Sequence, residues 1–281
     1  MSRLAPILHS LLERAEPAVV VSVAAVKGSA PREAGTHMIV TAERSHGTIG
    51  GGSLEWEAML RARALLGSDA ASATMELPLG PELGQCCGGF VSLRLQRTDA
   101  ALCVDLEAIE EREQEKLPLV LLFGAGHVGK ALARALAPLP LRVRWIDGRA
   151  DAFPEPAIPG PEVVVSERLL GEVEAAPPGA AFLVLTHSHA LDSMICAAAL
   201  QKGDFAYLGL IGSRTKRAQF ERAFRDLGIA QERIARLICP IGGGRIRDKR
   251  PAVIAALVAA ELLEALADAA KDAAGTTGEA A

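Results

Sequence analysis

Two adjacent cysteines, Cys86 and Cys87, are the residues whose type and setting best suit metal or sulfur chemistry. They lie in the glycine-rich stretch GQCCGG at residues 84–89. The spacing is not the CxxC of zinc sites, and neighbouring cysteines on a trans backbone do not bridge easily, so zinc and a structural disulfide are disfavoured. A soft thiolate that binds a heavy metal or transfers sulfur remains. The alternative is that both cysteines pack as small apolar groups.

A second motif, GAGHVG at residues 124–129, is suited to binding an anion. It follows an apolar run and precedes an amphipathic stretch, which predicts a buried strand, a tight turn and a helix. We expect Gly124 to close the turn, Gly126 to let backbone amides approach a phosphate, and Gly129 to let the helix pack on the strand. A phosphate there would lie at the positive end of the helix.

The next predicted strand ends at Asp147, where Rossmann folds place the acid that binds a ribose. Arg149, two residues later, is suited to an additional phosphate. The pattern predicts a Rossmann-type nucleotide fold, with NAD(P) as a possible ligand. Fold alone does not establish that ligand.

Polar residues also follow two later predicted strands. His187 and His189 come after the strand at residues 182–186 and could bind a metal or contact a pterin or carbonyl group. Ser213 and Arg214 open a helix after the strand at residues 207–211 and could bind phosphate. The alternatives are solvated loop histidines, an ordinary helix cap and a solvated cation.

Two glycine-containing loops in the first third of the chain are further candidate anion sites. One, at residues 28–35, contains Ser29 and Arg32; the other has three consecutive glycines at residues 50–52. Consecutive glycines expose backbone amides. The alternative is a pair of solvated loops.

Composition narrows the class of protein. The chain has 281 residues, half of them apolar, which is enough for two domains with sizeable cores. A formal charge of −4 argues against a nucleic-acid surface, and no apolar run approaches the roughly 20 residues that span a bilayer. The N-terminus lacks a signal-peptide core, and five cysteines form no disulfide framework, so we expect a cytoplasmic protein.

The patterns predict an α/β protein with two domains. Residues 1–116 form an N-terminal α/β domain that ends in a charged helical linker. Residues 117–270 form a Rossmann-like domain with a doubly wound parallel sheet, and residues 271–281 form a flexible tail.

Seven motifs together resemble the XdhC/CoxI family, the xanthine dehydrogenase accessory proteins. They are GSAPREAG at residues 28–35, GTIGGGSLE at 47–55, GQCCGG at 84–89, FGAGHVGKALA at 123–133, IDGR at 146–149, THSHALD at 186–192 and YLGLIGSRTK at 207–216. The resemblance covers nearly the whole chain. It departs at Ser53, where many relatives have a cysteine, and this difference places more weight on Cys86 and Cys87.

The resemblance implies a homodimeric cytoplasmic factor, not an enzyme. Such a factor binds the molybdenum cofactor (molybdopterin), assists its sulfuration by a cysteine desulfurase, and passes it to the molybdenum subunit of xanthine dehydrogenase. It also implies that the residues singled out above contribute to cofactor binding: Cys86, Cys87, Gly124, Gly126, Gly129, Asp147, His187, Ser213 and Arg214, with the two cysteines as the metal ligands.

Two other functions remain open. An NAD(P)-dependent oxidoreductase is the first, although the single tyrosine, Tyr207, has Ile211 four positions later where a short-chain dehydrogenase needs lysine. A nucleotide-binding sensor that regulates a partner is the second.

Overall fold

The computed structural model describes residues 3–79, 89–243, 246 and 248–278. The chain forms two compact units, one ending at Glu115 and the other beginning at Lys116.

The first unit is built on an antiparallel sheet with the strand order β3-β2-β1-β5-β4. Its elements in chain order are α1 (Ala5–Glu13), β1 (Ala18–Lys27), β2 (His37–Thr41), β3 (Ser45–Gly47), α2 (Gly52–Leu66), β4 (Ser72–Leu79), β5 (Gly89–Arg97) and α3 (Ala100–Lys116).

Both faces of this sheet are covered, which explains why β1 begins with a continuous apolar run. Val19 and Val21 pack toward α2, whereas Val20 packs toward α1 and α3. Because successive strand residues point to opposite faces, a strand buried on both sides has no polar alternation.

The second unit has a parallel sheet with helices on both faces. Its elements are β6 (Leu119–Phe123), α4 (His127–Leu136), β7 (Arg142–Asp147), β8 (Glu162–Val165), α5 (Leu169–Ala175), β9 (Ala181–Val184), α6 (His189–Lys202), β10 (Tyr207–Leu210), α7 (Arg214–Asp226), α8 (Gln231–Ala235), β11 (Leu237–Ile238) and α9 (Pro251–Gly278). A short 3-10 turn, Ala150–Ala152, lies between β7 and β8.

The strand order β8-β7-β6-β9-β10-β11 is the one common to Rossmann folds. The chain winds outward from β6 through β7 to β8, then returns to place β9 on the other side of β6. This arrangement confirms the predicted α/β class with a Rossmann-like second domain. It also puts the loops that follow β6 and β9 on either side of the point where the winding reverses, which is the usual ligand position in such sheets.

Alternation along β6 divides the core of the second unit into two layers. Leu121 and Phe123 pack among residues of α5, α6 and α7, whereas Val120 and Leu122 pack among residues of α4 and α9. The alanine-rich helix α9 continues to Gly278, past the expected end near residue 270, because alanine has the highest helix propensity. The predicted tail of residues 271–281 therefore begins inside this helix.

Within the described ranges, no helix combines the length and apolar character needed to cross a membrane.

Candidate functional site

The turn after β6 is held by two glycines that have no room for a side chain. Gly124 has a φ of +114°, and a Cβ on it would lie 2.2 Å from the carbonyl oxygen of Leu185. A Cβ on Gly129 would lie 2.0 Å from the carbonyl oxygen of Gly124. These glycines therefore allow α4 to pack on the turn and the turn to pack on the segment that follows β9.

Gly126 is different, because a Cβ placed on it would meet no atom within 4 Å. It is the N-cap residue of α4, and no side chain caps that helix. The first amides of α4 are therefore approachable beside Gly126, an arrangement that favours an anion at the positive end of the helix.

Asp147, at the end of β7, points back into the protein and is only 4% exposed. Its carboxylate accepts a hydrogen bond from the amide of Ala125 at 2.8 Å, inside the glycine turn. It also accepts one from the amide of Arg149 and two from the Arg149 guanidinium, each at 3.0 Å. Burial disfavours the charged carboxylate, but the hydrogen bonds from Arg149 and Ala125 outweigh burial and lower the pKa of Asp147.

His187 lies in the segment between β9 and α6, His189 begins α6, and both side chains are exposed. Ser188 caps α6 by accepting a hydrogen bond from the amide of Leu191, and His189 is the first residue of the helix. In the part of the chain that the structure describes, no three His, Cys, Asp or Glu residues form a metal-binding group. His187 therefore lies at the expected edge of the sheet without further ligands among the described residues.

A buried ion pair that the sequence patterns did not predict connects α6 to α7. Lys216 Nζ lies 2.7 Å from Asp192 Oδ2 and donates a second hydrogen bond to the carbonyl of Ile211. Asp192 is 1% exposed and also accepts hydrogen bonds from the amide and hydroxyl of Thr186. The sequence contained one signal for this pair. Asp192 lies in the first turn of α6 and Lys216 in the first turn of α7, and both helices begin at the carboxyl ends of parallel strands.

The predicted phosphate-binding residues at the start of α7 are exposed. Ser213 accepts a hydrogen bond from the amide of Lys216 and acts as an ordinary N-cap, while Arg214 is the first residue of the helix. The structure thus brings the glycine turn, Asp147 and the segment before His187 together around the reversal of winding. Ser213 and Arg214 lie at the same edge of the sheet, after β10.

Tyr207, the only tyrosine of the chain, is held inside the second unit. Its hydroxyl donates a hydrogen bond of 2.5 Å to Glu261, whose other carboxylate oxygen accepts one from the amide of Gly242. Burial, together with this carboxylate, raises the pKa of Tyr207 far above its usual range. A tyrosine in this state is a poor proton donor for the oxidoreductase alternative.

In the first unit, described residues from three of the motifs that resemble the XdhC/CoxI family lie close together. A Cβ on Gly89 would lie 2.0 Å from the carbonyl oxygen of Ser29, and one on Gly50 would lie 2.5 Å from Pro31 Cβ. Ser29 and Arg32 are exposed on the middle loop. Gly89 ends the cysteine-containing motif, whereas Cys86 and Cys87 lie outside the described residues.

The triple-glycine loop already binds a carboxylate from its own helix. Glu55 Oε2 accepts hydrogen bonds from the hydroxyl of Thr48 at 2.5 Å and from the amides of Ile49 and Gly51 at 3.0 and 3.1 Å. The sequence suggested a possible anion site at this loop, and here the group that accepts from the amides is a side chain four residues beyond Gly51. An external phosphate would need to displace Glu55 to use these amides.

The described cysteines are buried thiols. Burial raises the pKa of Cys103, in α3, and that of Cys239, next to β11, and raises the pKa of Cys196, in α6, more strongly. Raised pKa values favour the thiol over the thiolate that binds soft metals.

Models of known protein families match segments of both units. The model of the XdhC Rossmann domain matches residues 120–262, which is half of the chain, and the model of the XdhC and CoxI family matches residues 11–77. The chain belongs to the XdhC family. The matched ranges contain the motifs at residues 28–35, 47–55 and 123–133 among others.

Two individual proteins are similar over nearly the whole chain. The Escherichia coli K12 protein described as uncharacterized protein YqeB is 31% identical over 258 residues. That match covers 88% of this chain and 43% of the relative, so this chain spans less than half of the relative's length. A crystal structure of a Bacillus halodurans protein described as a xanthine dehydrogenase has a TM-score of 0.70 at 18% identity, covering 95% of this chain and 96% of the other, which shows a shared fold.

Proposed function

We propose that this protein is a maturation factor for xanthine dehydrogenase that holds the molybdenum cofactor, assists its sulfuration and delivers it to the enzyme. Membership of the XdhC family supports such a role. The structural observation that carries the proposal is the meeting of three family motifs in the first unit, where Gly89 contacts Ser29 and Gly50 contacts Pro31.

The described residues around these loops have a chemistry that fits the anionic end of a pterin cofactor. Lys27 and Arg32 are exposed cations on either side of Ser29. Since Glu55 occupies the amides of the triple-glycine loop, the cofactor phosphate would be held by these cations and by the hydroxyl of Ser29. Cys86 and Cys87 remain the candidate soft ligands of molybdenum, the chemistry that thiolates supply.

The partners follow from the same proposal. The donor of sulfur would be a cysteine desulfurase, and the acceptor would be the molybdenum subunit of xanthine dehydrogenase. A homodimer in the cytoplasm is the proposed working form. The proposal assigns sulfur transfer to the desulfurase and no catalysis to the chain itself, because enclosing and passing on a cofactor uses binding energy.

The experiment compares two cysteine variants after purification from molybdate-fed cells. Cys87→Ala should lose most of the bound molybdenum and pterin, whereas Cys103→Ala should retain both, because Cys103 is a buried thiol inside α3. Molybdenum is measured by mass spectrometry and pterin by fluorescence after gel filtration. Protein from cells unable to make the cofactor provides the blank.

Equal molybdenum retention by the wild type and a Cys86→Ala/Cys87→Ala double variant would show that neither thiolate is needed to hold molybdenum. A wild-type protein with no more molybdenum or pterin than the blank would remove the cofactor-binding function itself.

A further inference from the structure

The Rossmann fold of the second unit raises the question of a dinucleotide ligand. In dinucleotide-binding members of this fold, the acid at the end of the second strand accepts hydrogen bonds from the adenosine ribose, and the pyrophosphate lies at the start of the first helix. Asp147 is at that strand end and α4 is that helix. An acid therefore occupies the ribose-binding position. Whether it can accept a hydrogen bond from a ribose depends on the partners that its carboxylate already has.

The Asp147 carboxylate has no acceptor capacity left for a ribose. An ionised carboxylate has about four lone-pair sites. Within the described part of the chain, Asp147 accepts four hydrogen bonds, from the Ala125 amide, the Arg149 amide and two guanidinium nitrogens of Arg149. Its 4% exposure agrees with this saturation.

Arg149 is the part of this arrangement that meets solvent. The guanidinium binds both carboxylate oxygens in a forked geometry, Nε to Oδ1 and Nη2 to Oδ2, each at 3.0 Å. The Arg149 side chain is 46% exposed, whereas the Asp147 side chain is 4% exposed. A molecule that approaches the end of β7 therefore meets a guanidinium instead of a carboxylate.

The second buried acid at this edge of the sheet is also engaged. Asp192 is paired with Lys216 and accepts two hydrogen bonds from Thr186. Asp192 accepts three hydrogen bonds and is only 1% exposed, so burial keeps it from a sugar hydroxyl.

We propose that Asp147 and Arg149 form an internal brace that replaces ribose recognition, so that the second unit does not bind NAD(H). Asp147 is a positioning residue: it holds the glycine turn through the Ala125 amide, and Arg149 keeps it occupied. This inference goes beyond the proposed function, because it concerns the second unit and needs no molybdenum cofactor for its test.

The test is a fluorescence titration of the full-length protein with NADH. The wild type should show no saturable binding up to about 1 mM, because the ribose acceptor is occupied. Arg149→Gln removes the forked pair, opens two acceptor positions on Asp147, and should produce saturable NADH binding. Adding Asp147→Asn to Arg149→Gln should abolish that gain. Arg168→Gln, an exposed arginine after β8, is the matched control and should behave as the wild type.

Thermal unfolding followed by circular dichroism checks the fold of each variant. Asp147→Asn alone should lower the melting temperature, since it weakens the contact that holds the turn, and should leave NADH unbound.

Two results would overturn the inference. The first is saturable NADH binding by the wild type with a Kd below about 1 mM. The second is a folded Arg149→Gln variant that still binds no NADH, because Arg149 would then not be what excludes the ribose. Failure of the molybdenum experiment would leave both results unaffected, so the two proposals fail separately.

Discussion

At the scale of single residues, the three glycines of the turn after β6 perform different tasks. Gly124 and Gly129 allow close packing, because a Cβ on either would lie about 2 Å from a carbonyl oxygen. Gly126 leaves open space in front of the α4 amides. The fold therefore requires glycine at Gly124 and Gly129, whereas the space around Gly126 would accommodate a side chain.

This difference predicts that two alanine variants lose different amounts of stability. Gly129→Ala gains roughly 1 kcal/mol of helix propensity but forces the Gly124 carbonyl to move, so we expect a net destabilisation of about 1–3 kcal/mol. Gly126→Ala should cost less than about 1 kcal/mol. Urea unfolding of both proteins measures the difference. Equal stabilities would show that the turn can relax around a methyl group at Gly129.

His37, in β2, is a second residue whose setting has a measurable consequence. Its Nδ1 shares a hydrogen bond of 2.8 Å with the hydroxyl of Ser22, and its Nε2 is buried without a hydrogen-bond partner among the described residues. Burial lowers the pKa of His37 below its ordinary value of 6.5, and the nearby carboxylate of Glu110 offsets only part of this effect.

The lowered pKa predicts a loss of stability in weak acid. Above pH 6.5 the imidazole is neutral in both the folded and the unfolded chain. As the pH falls through 6.5 and toward the lower folded-state pKa, the unfolded chain binds the proton first, so the free energy of unfolding decreases. His37→Gln should lose less stability than the wild type between about pH 7.5 and about pH 5.5, measured by urea unfolding. A parallel decrease in both proteins would assign the acid sensitivity to other groups.

At the scale of secondary-structure elements, the carboxyl edge of the parallel sheet is held by pairs that cross between elements. Asp147 connects the end of β7 to the turn after β6, and the Asp192–Lys216 pair connects α6 to α7. Both carboxylates are almost fully buried, so each depends on its partners to offset the cost of desolvation. These pairs set the position of the loops that carry His187 and Ser213.

Breaking the pair between α6 and α7 from one side should be costly. Lys216→Met leaves a buried carboxylate without its cation, and we expect a loss of about 3–5 kcal/mol. Adding Asp192→Asn should recover part of this loss, because the amide oxygen can still accept from Thr186 while the buried charge is gone. Unfolding free energies of the two single variants and the double variant give the coupling energy. Additive losses would mean that the pair contributes no specific interaction.

At the scale of the whole molecule, the proposed function predicts a selective defect in cells that lack the protein. Xanthine dehydrogenase should be synthesised and assembled with its flavin and iron–sulfur centres, but it should contain little sulfurated molybdenum cofactor. The reason is that delivery concerns only the molybdenum centre. Metal analysis and xanthine turnover of the purified enzyme measure the defect, with the complemented strain as control.

Full molybdenum content together with full xanthine turnover in the deletion strain would contradict the delivery role. Equal loss of the iron–sulfur centres would point to a general assembly role instead.

Local patterns in the sequence determined the architecture of the second unit. The apolar run before Gly124, the spacing of the glycines and the acid at residue 147 are properties of neighbouring residues, and they predicted the Rossmann-like fold that the strand order confirms. The helix cap at Ser213 is equally local, because the bond connects residues three apart.

Only the tertiary structure decided which polar groups are available at the candidate sites. Asp147 was expected to face a ligand, but it is occupied by Ala125, 22 positions earlier in the chain, and by Arg149. Asp192 is paired with Lys216, 24 positions later, and the glycine-loop amides expected to bind a phosphate are taken by Glu55. Sequence shows which donors and acceptors exist, but their pairing depends on how strands and helices place distant residues side by side, because a hydrogen bond forms only within about 3 Å.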